Sequence, residues 1–235
     1  MSFDVNSNKY TFIFSAVMVV VVAALLAFAA ESLKPMQQKN IRSEKMQNIL
    51  SSVGIEVEAA QAEETFNKFI TEQVVLDHSG NEKTGTVAFN VDILKEYKSG
   101  GQQNFPIFIY TAESGEKKYI IPMVGKGLWG PIWGYVALDG DLNTVAGASF
   151  DHKSETPGLG AEIKEKWFQT PFKGKKIFDA SGNYVSVKVI KGGAGENNEH
   201  GVDAISGGTI TSVGVSEMVE RTLKTYENYF KSNKN

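Results

Sequence analysis

A chain of 235 residues, 42% apolar and 22% charged, is long enough for one sizeable domain plus an appendage, and its composition excludes the disordered and fibrous classes. Its 24 basic and 27 acidic side chains are mixed without long blocks of one sign and leave a net charge of −3, so nothing in it forms an electrostatic footprint for nucleic acid. Cysteine is absent, which removes thiolate-ligated clusters, disulfides and Cys nucleophiles together, so redox chemistry would need an organic cofactor.

After a tail at residues 1–10, residues 11–30 form an uncharged run of 20, TFIFSAVMVVVVAALLAFAA. A helix of that length crosses the ~30 Å hydrocarbon layer of a bilayer at about 1.5 Å per residue, so a single transmembrane helix is expected. The competing reading is a cleaved signal peptide, since Ala27-Phe28-Ala29 fits an A-x-A cleavage pattern. Signal cores usually span only ~7 to 15 residues, which favours an uncleaved anchor. Lys9 alone precedes the run, whereas Lys34, Lys39, Arg42 and Lys45 follow it. The positive-inside rule therefore points the remainder toward the cytoplasm, although the rule loses force when a long domain follows the span.

Residues 31–57 read as a helical connector, with Ile41, Met46, Ile49, Leu50 and Val53 forming an apolar stripe that stops near Gly54. A second helix is expected over residues 58–71, where Phe66, Phe69 and Ile70 share a face. Strands then dominate, at EQVVLDH, TGTVAFNV, FPIFIYTA, KKYIIPMV, WGYVALD and TVAGASFDH, with a late strand YVSVKVIK, all separated by Gly, Asn and Ser clusters. A last helix is expected over residues 213–230, with Val215, Val219, Leu223 and Tyr226 on one buried face. The pattern predicts an α+β fold over residues 58–235, a mostly antiparallel sheet with flanking helices.

Three segments are rich in Gly, Ser, Thr and aromatics where a core strand would not be. Residues 125–134, GKGLWGPIWG, demand a tight turn beside the flat surfaces of Trp129 and Trp133. Read alone, this is a loop whose tryptophans plug the core. Residues 154–162, SETPGLGAE, place the carboxylate of Glu155 next to a Thr156-Pro157-Gly158 turn, where it can accept hydrogen bonds from a ligand. Residues 203–212, DAISGGTITS, run into the final helix, so unpaired N–H groups and the positive end of the helix dipole favour a phosphate there. Ser206, Thr209 and Thr211 add hydroxyl donors; the bland alternative is an ordinary N-cap. The segment is neither a Walker loop nor a GxGxxG fingerprint, and no serine sits in GxSxG. His78, His152 and His200 form no spaced pair, so no metal site is expected.

These segments, in this order behind one N-terminal apolar helix, resemble the NqrC family of sodium-translocating NADH:quinone reductases, whose relatives include a flavin subunit of Rnf-type electron-transport complexes. In that family a flavin transferase recognises D-x-x-[ST]-G-A-T and esterifies the phosphate of FMN onto its last threonine. Asp203, Ser206 and Gly207 match, Thr209 is the acceptor, and Gly208 stands where alanine is usual. Thr211 is the nearest rival acceptor but falls outside the motif spacing. The resemblance implies that Glu155, Thr156, Gly158 and Leu159 line the flavin site, with Trp129 a looser candidate, and that no side chain is catalytic because the cofactor carries the chemistry. It further implies an electron-transfer subunit, with covalent FMN, of a multisubunit complex in a bacterial inner membrane, the soluble domain facing the periplasm. Two alternatives stay open: a flavin subunit of an Rnf-type ferredoxin:NAD oxidoreductase complex, and a membrane-anchored binding module without flavin.

Overall fold

In a computed structural model of the chain, the described residues are 5, 7–101 and 103–233, so residues 1–4 and 6 of the expected tail lie outside them. The chain divides into two compact units, residues 1–44 and 45–235. The first helix, α1 (Asn8–Ser51), carries Pro35 inside it, where a span followed by a separate connector was expected. A proline removes one backbone N–H from the helical ladder, and this helix continues past that gap. Within the first unit the apolar side chains of the helix, among them Phe12, Val19, Val20, Leu25 and Phe28, are exposed. The helix is long and apolar enough to cross a membrane by length and composition.

The second unit is built on a five-stranded antiparallel sheet: β1 (Ile70–Leu76), β2 (Phe105–Thr111), β3 (Lys117–Lys126), β4 (Pro131–Leu138) and β5 (Val145–His152), in spatial order β1-β2-β3-β4-β5. Side chains alternate across a strand, and both faces are covered. On one face Phe108, Ile120, Tyr135 and Ala137 pack with Met46, Ile49 and Leu50 and with Phe66 of α2 (Ala62–Phe69). On the other, Ile107, Ile109, Ile121, Met123, Val136 and Phe150 meet the carboxyl-terminal helices α5 (Thr209–Thr225) and α6 (Glu227–Asn233) through Val215, Met218, Leu223 and Phe230. Between β5 and α5 lie a 3-10 turn at Gly160–Lys164, the single-turn α4 (Lys166–Gln169), and a two-stranded parallel sheet of β6 (Lys188–Ile190) and β7 (Gly201–Asp203). The expected α+β class with a mostly antiparallel sheet is what the structure has.

Four elements differ from the sequence expectation. α2 starts at Ala62 and ends at Phe69 because Ile70 is already extended and pairs with Tyr110. TGTVAFNV is a loop with a 3-10 turn at Ala88–Asn90, followed by α3 (Ile93–Lys98), whose first turn is capped by the Asp92 carboxylate accepting from Lys95 N at 2.9 Å. There Phe89 N donates to the Gln73 side chain, so a tertiary bond takes the place of a ladder. YVSVKVIK is strand only at 188–190, since buried Ser186 sits at φ 65 and breaks the extended run. The final helix begins four residues earlier than position 213, at Thr209, and is divided at Tyr226. Arg221 anchors it, its guanidinium donating to the Val124 carbonyl and lying 4.6 Å from the centre of the Tyr97 ring.

Candidate functional site

The three Gly-rich segments converge on one side chain, Glu155, which is only 5% exposed. The hairpin joining β3 to β4 closes with Gly127 N donating to Gly130 O at 2.8 Å, so its tip presents Leu128 and Trp129. From that tip Trp129 N donates to Glu155 Oε1 at 2.8 Å and Leu128 N to Oε2 at 3.3 Å. From the first turn of α5, the Thr211 hydroxyl donates to Oε2 at 2.5 Å. Burial alone would raise the carboxyl's pKa, yet the Thr211 hydroxyl and the N–H groups of Trp129, Leu128 and Gly130 together hold it below the usual value. The backbone is cut away on both sides of the carboxylate: a Cβ on Gly127 would lie 2.6 Å from Oε1, and one on Gly160 would lie 2.6 Å from Oε2 and 2.3 Å from Thr211 Oγ1.

The loop after Glu155 turns at Thr156, whose carbonyl accepts from Leu159 N and Ala161 N, both at 3.1 Å. Gly158 takes φ +73 and donates its N–H to Glu162 at 3.0 Å. Thr156 and Gly158 are exposed, and Leu159 is 41% exposed while resting on the Gly207-Gly208 turn. In the third segment Asp203 ends β7 and accepts from Ala194 N at 2.7 Å, which fastens the 191–195 glycine loop. Ser206 is exposed, Gly207 takes φ +76, and Gly208 is the N-cap of α5 without a side-chain cap bond. Thr209, the first residue of α5, is half-buried, whereas Thr211 is 2% exposed with its hydroxyl on Glu155. No residue of the first turn of α5 is acidic, and the Glu155 carboxylate meets that turn through the Thr211 hydroxyl, so the backbone N–H groups at the helix end can face an anion.

Thus Glu155, Thr211, Trp129, Leu159, Gly207 and Gly208 are brought together around the start of α5. Trp129 stands out at 67% exposed, while Trp133 is a strand residue facing Val124 and Asp151 across the sheet. Asp203 and Ser206 lead into the turn from the far side. Glu155 departs from the expected role in one respect: much of its acceptor capacity is taken by the protein's own N–H and O–H groups. Several residues of the site carry no motif. Ser212 Oγ accepts from Ile205 N at 3.0 Å and shapes the turn, and His152 Nδ1 accepts from Glu155 N at 3.1 Å. Ile210 and Val213 are exposed apolar residues on the first turns of α5. Their i, i+3 spacing, off the buried stripe of that helix, is a signal that sequence reading could have used.

The chain matches the family described as FMN-binding domain over residues 127–224, an interval that opens in the tryptophan hairpin and closes at the end of α5. The C subunit (NqrC) of the Na(+)-translocating NADH-quinone reductase of Vibrio campbellii is 34% identical over 217 residues, covering 83% of this chain and 82% of that protein. The chain belongs to the NqrC family of Na(+)-translocating NADH-quinone reductases. The NqrC protein from Neisseria meningitidis serogroup A is likewise 34% identical, over 91% of this chain and 88% of its own length. Among solved NqrC structures, that from Parabacteroides distasonis superimposes with a TM-score of 0.77 at 41% identity, covering 84% of this chain and 96% of that one. That from Shewanella oneidensis has a TM-score of 0.71 at 26% identity, covering 81% and 98%.

Proposed function

We propose that this chain is the flavin-carrying electron-transfer subunit of a membrane complex that oxidises NADH, reduces quinone and exports sodium, with FMN joined through its phosphate to the hydroxyl of Thr209. The observation that carries the assignment is the contrast between two threonines. Thr209 lies at the uncapped first residue of α5 and is partly open to solvent, whereas the rival Thr211 is buried and committed to Glu155. Phosphate at Thr209 would meet free N–H groups and the positive helix end, and the residues present suit it: no acid in the first turn, and apolar Trp129, Leu128, Leu159 and Ile210 exposed as surface for a ring system. When bound, the flavin supplies the electron-transfer chemistry. The protein's side chains bind, orient and shield it.

Ser206, Gly207 and Gly208 form the turn that presents Thr209, and Asp203 holds the approach to that turn against Ala194. Thr156, Gly158 and Leu159 form the opposite wall. In this reading residues 11–30 cross a bacterial inner membrane once, 31–57 connect, with Met46, Ile49 and Leu50 already packed on the sheet, and 58–235 form the flavin domain on the periplasmic side. There a flavin transferase modifies it, and other subunits of the complex exchange electrons with it. The family assignment favours this complex over an Rnf-type one.

The test is chain produced together with a flavin transferase and run on a denaturing gel. Wild type and Thr211→Val are expected to give a fluorescent band and Thr209→Val none. Fluorescence retained by Thr209→Val would overturn the attachment site.

A further inference from the structure

Glu155 has a second feature: the donors that hold it are neutral. Two are the backbone N–H groups of Leu128 and Trp129 and one is the Thr211 hydroxyl. A buried carboxylate without a cation is costly unless its oxygens are hydrogen-bonded, and here the donors reach it from two elements far apart in sequence. Leu128 and Trp129 lie 27 and 26 residues before it, and Thr211 lies 56 residues after it. Gly127 and Gly160 lie so close to the two oxygens that a Cβ on either would come within 2.6 Å of the carboxylate. On the backbone side, Glu155 N donates to His152 Nδ1, which ties the base of the loop to the end of β5. The result is a niche fitted to one side chain, set between the hairpin tip that carries Trp129 and the helix start that carries Thr209.

We propose that Glu155 is a positioning residue for the flavin: it latches the hairpin tip to the first turn of α5, so that Trp129 and the Thr209 hydroxyl stand in a fixed relation before the cofactor arrives. The inference rests on the flavin reading above and adds to it. Glu155 itself need not touch the flavin. It acts through the two elements it joins, in the way that supporting hydrogen bonds hold a site within the tolerance its chemistry requires.

The experiment uses the full chain in detergent, as wild type, Glu155→Gln, Thr211→Val and Thr211→Ser. Two readouts are taken: amide hydrogen exchange in a peptide spanning residues 127–131, and the rate at which flavin is attached by the transferase. Glutamine keeps the size but loses the charge, so exchange at Leu128 and Trp129 is expected to rise roughly ten- to a hundredfold, with β2 and β3 unchanged. Flavin attachment is expected to slow by on the order of tenfold or more, as misplacement of reacting groups does. Thr211→Val should behave like Glu155→Gln, and Thr211→Ser, which restores the hydroxyl, like wild type. If Glu155→Gln also loosens β2 and β3, the valine and serine pair reads the same latch. Wild-type exchange in both Glu155→Gln and Thr211→Val, or faster exchange with an unchanged attachment rate, would overturn the proposal. A wild-type chain that takes no flavin, while its variants still show the exchange effect, would refute the flavin reading and leave the latch standing.

Discussion

Replacing Gly160 by alanine puts a Cβ 2.3 Å from Thr211 Oγ1 and 2.6 Å from Glu155 Oε2, well inside ordinary van der Waals contact. Those two groups are hydrogen-bonded to each other, so neither can retreat toward the other. Thr211 is β-branched and helical, which leaves few rotamers to adopt, and Glu155 is held by two hairpin N–H groups. The methyl group therefore has to break the Thr211–Glu155 bond or push α5 away. Losing a hydrogen bond to a charged acceptor costs about 1.5–3 kcal/mol, and forcing a methyl group into a packed site costs about 1–3 kcal/mol. Together these give about 2–5 kcal/mol, since the two terms overlap. For a unit the size of residues 45–235, that corresponds to a Tm lower by roughly 4–20 °C. The assay is thermal unfolding of the full chain in detergent followed by circular dichroism, with Gly101→Ala as the control, because a Cβ at Gly101 meets nothing within 4 Å. A Gly160→Ala protein melting within about 2 °C of that control would refute the packing argument.

Gly208→Ala restores the alanine usual in the flavin-attachment motif but brings a Cβ within 2.9 Å of Ile205 Cγ2 and 3.1 Å of the Leu159 backbone. It is expected to cost about 1–2 kcal/mol in urea unfolding without raising flavin content; a stabilised variant would contradict this. Because the folded carboxyl of Glu155 lies below its ordinary value of 4.5, its contribution to stability is present above that value and is lost as pH falls through the lower, folded one. The urea midpoint of wild type should therefore fall relative to that of Glu155→Gln as pH is lowered below 4.5, and parallel curves would show that Glu155 does not contribute. Ser181 is exposed and the chain has no cysteine, so Ser181→Cys offers a unique thiol. Labelling by a membrane-impermeant reagent in intact cells is expected for a periplasmic domain, and labelling only after lysis would place it inside.

The sheet is legible as apolar runs rich in β-branched and aromatic residues between turn clusters: β2 and β5 lie inside runs that read as strands, and β1, β3 and β4 overlap theirs with shifted ends. TGTVAFNV reads as a strand but is none, because its alternating pattern is satisfied by packing and by the Gln73 contact instead of by a ladder. β7 is invisible in the sequence because three residues, Gly201, Val202 and Asp203, are too few to show a period. α5 starts earlier than its periodicity indicates because Thr, Ile and Ser carry weak helix propensity, whereas the Ile205–Ser212 bond and the Thr211–Glu155 bond, both tertiary or turn features, stabilise that first turn. Glycine density marks all three segments of the site, since close backbone approach demands it. Their convergence on one carboxylate is not readable, because it depends on β3, β4 and β5 bringing residues 127–130 and 155 to the same end of the sheet as α5.

A phosphoester on one hydroxyl is the point on which the flavin assignment turns, and intact-mass analysis of the chain isolated from its native membrane, followed by fragmentation of the peptide spanning residues 203–212, tests it most directly. The expected result is a chain heavier than its polypeptide by one FMN less one water, with the addition on Thr209. A bare polypeptide, or the same addition on any other residue, would contradict it.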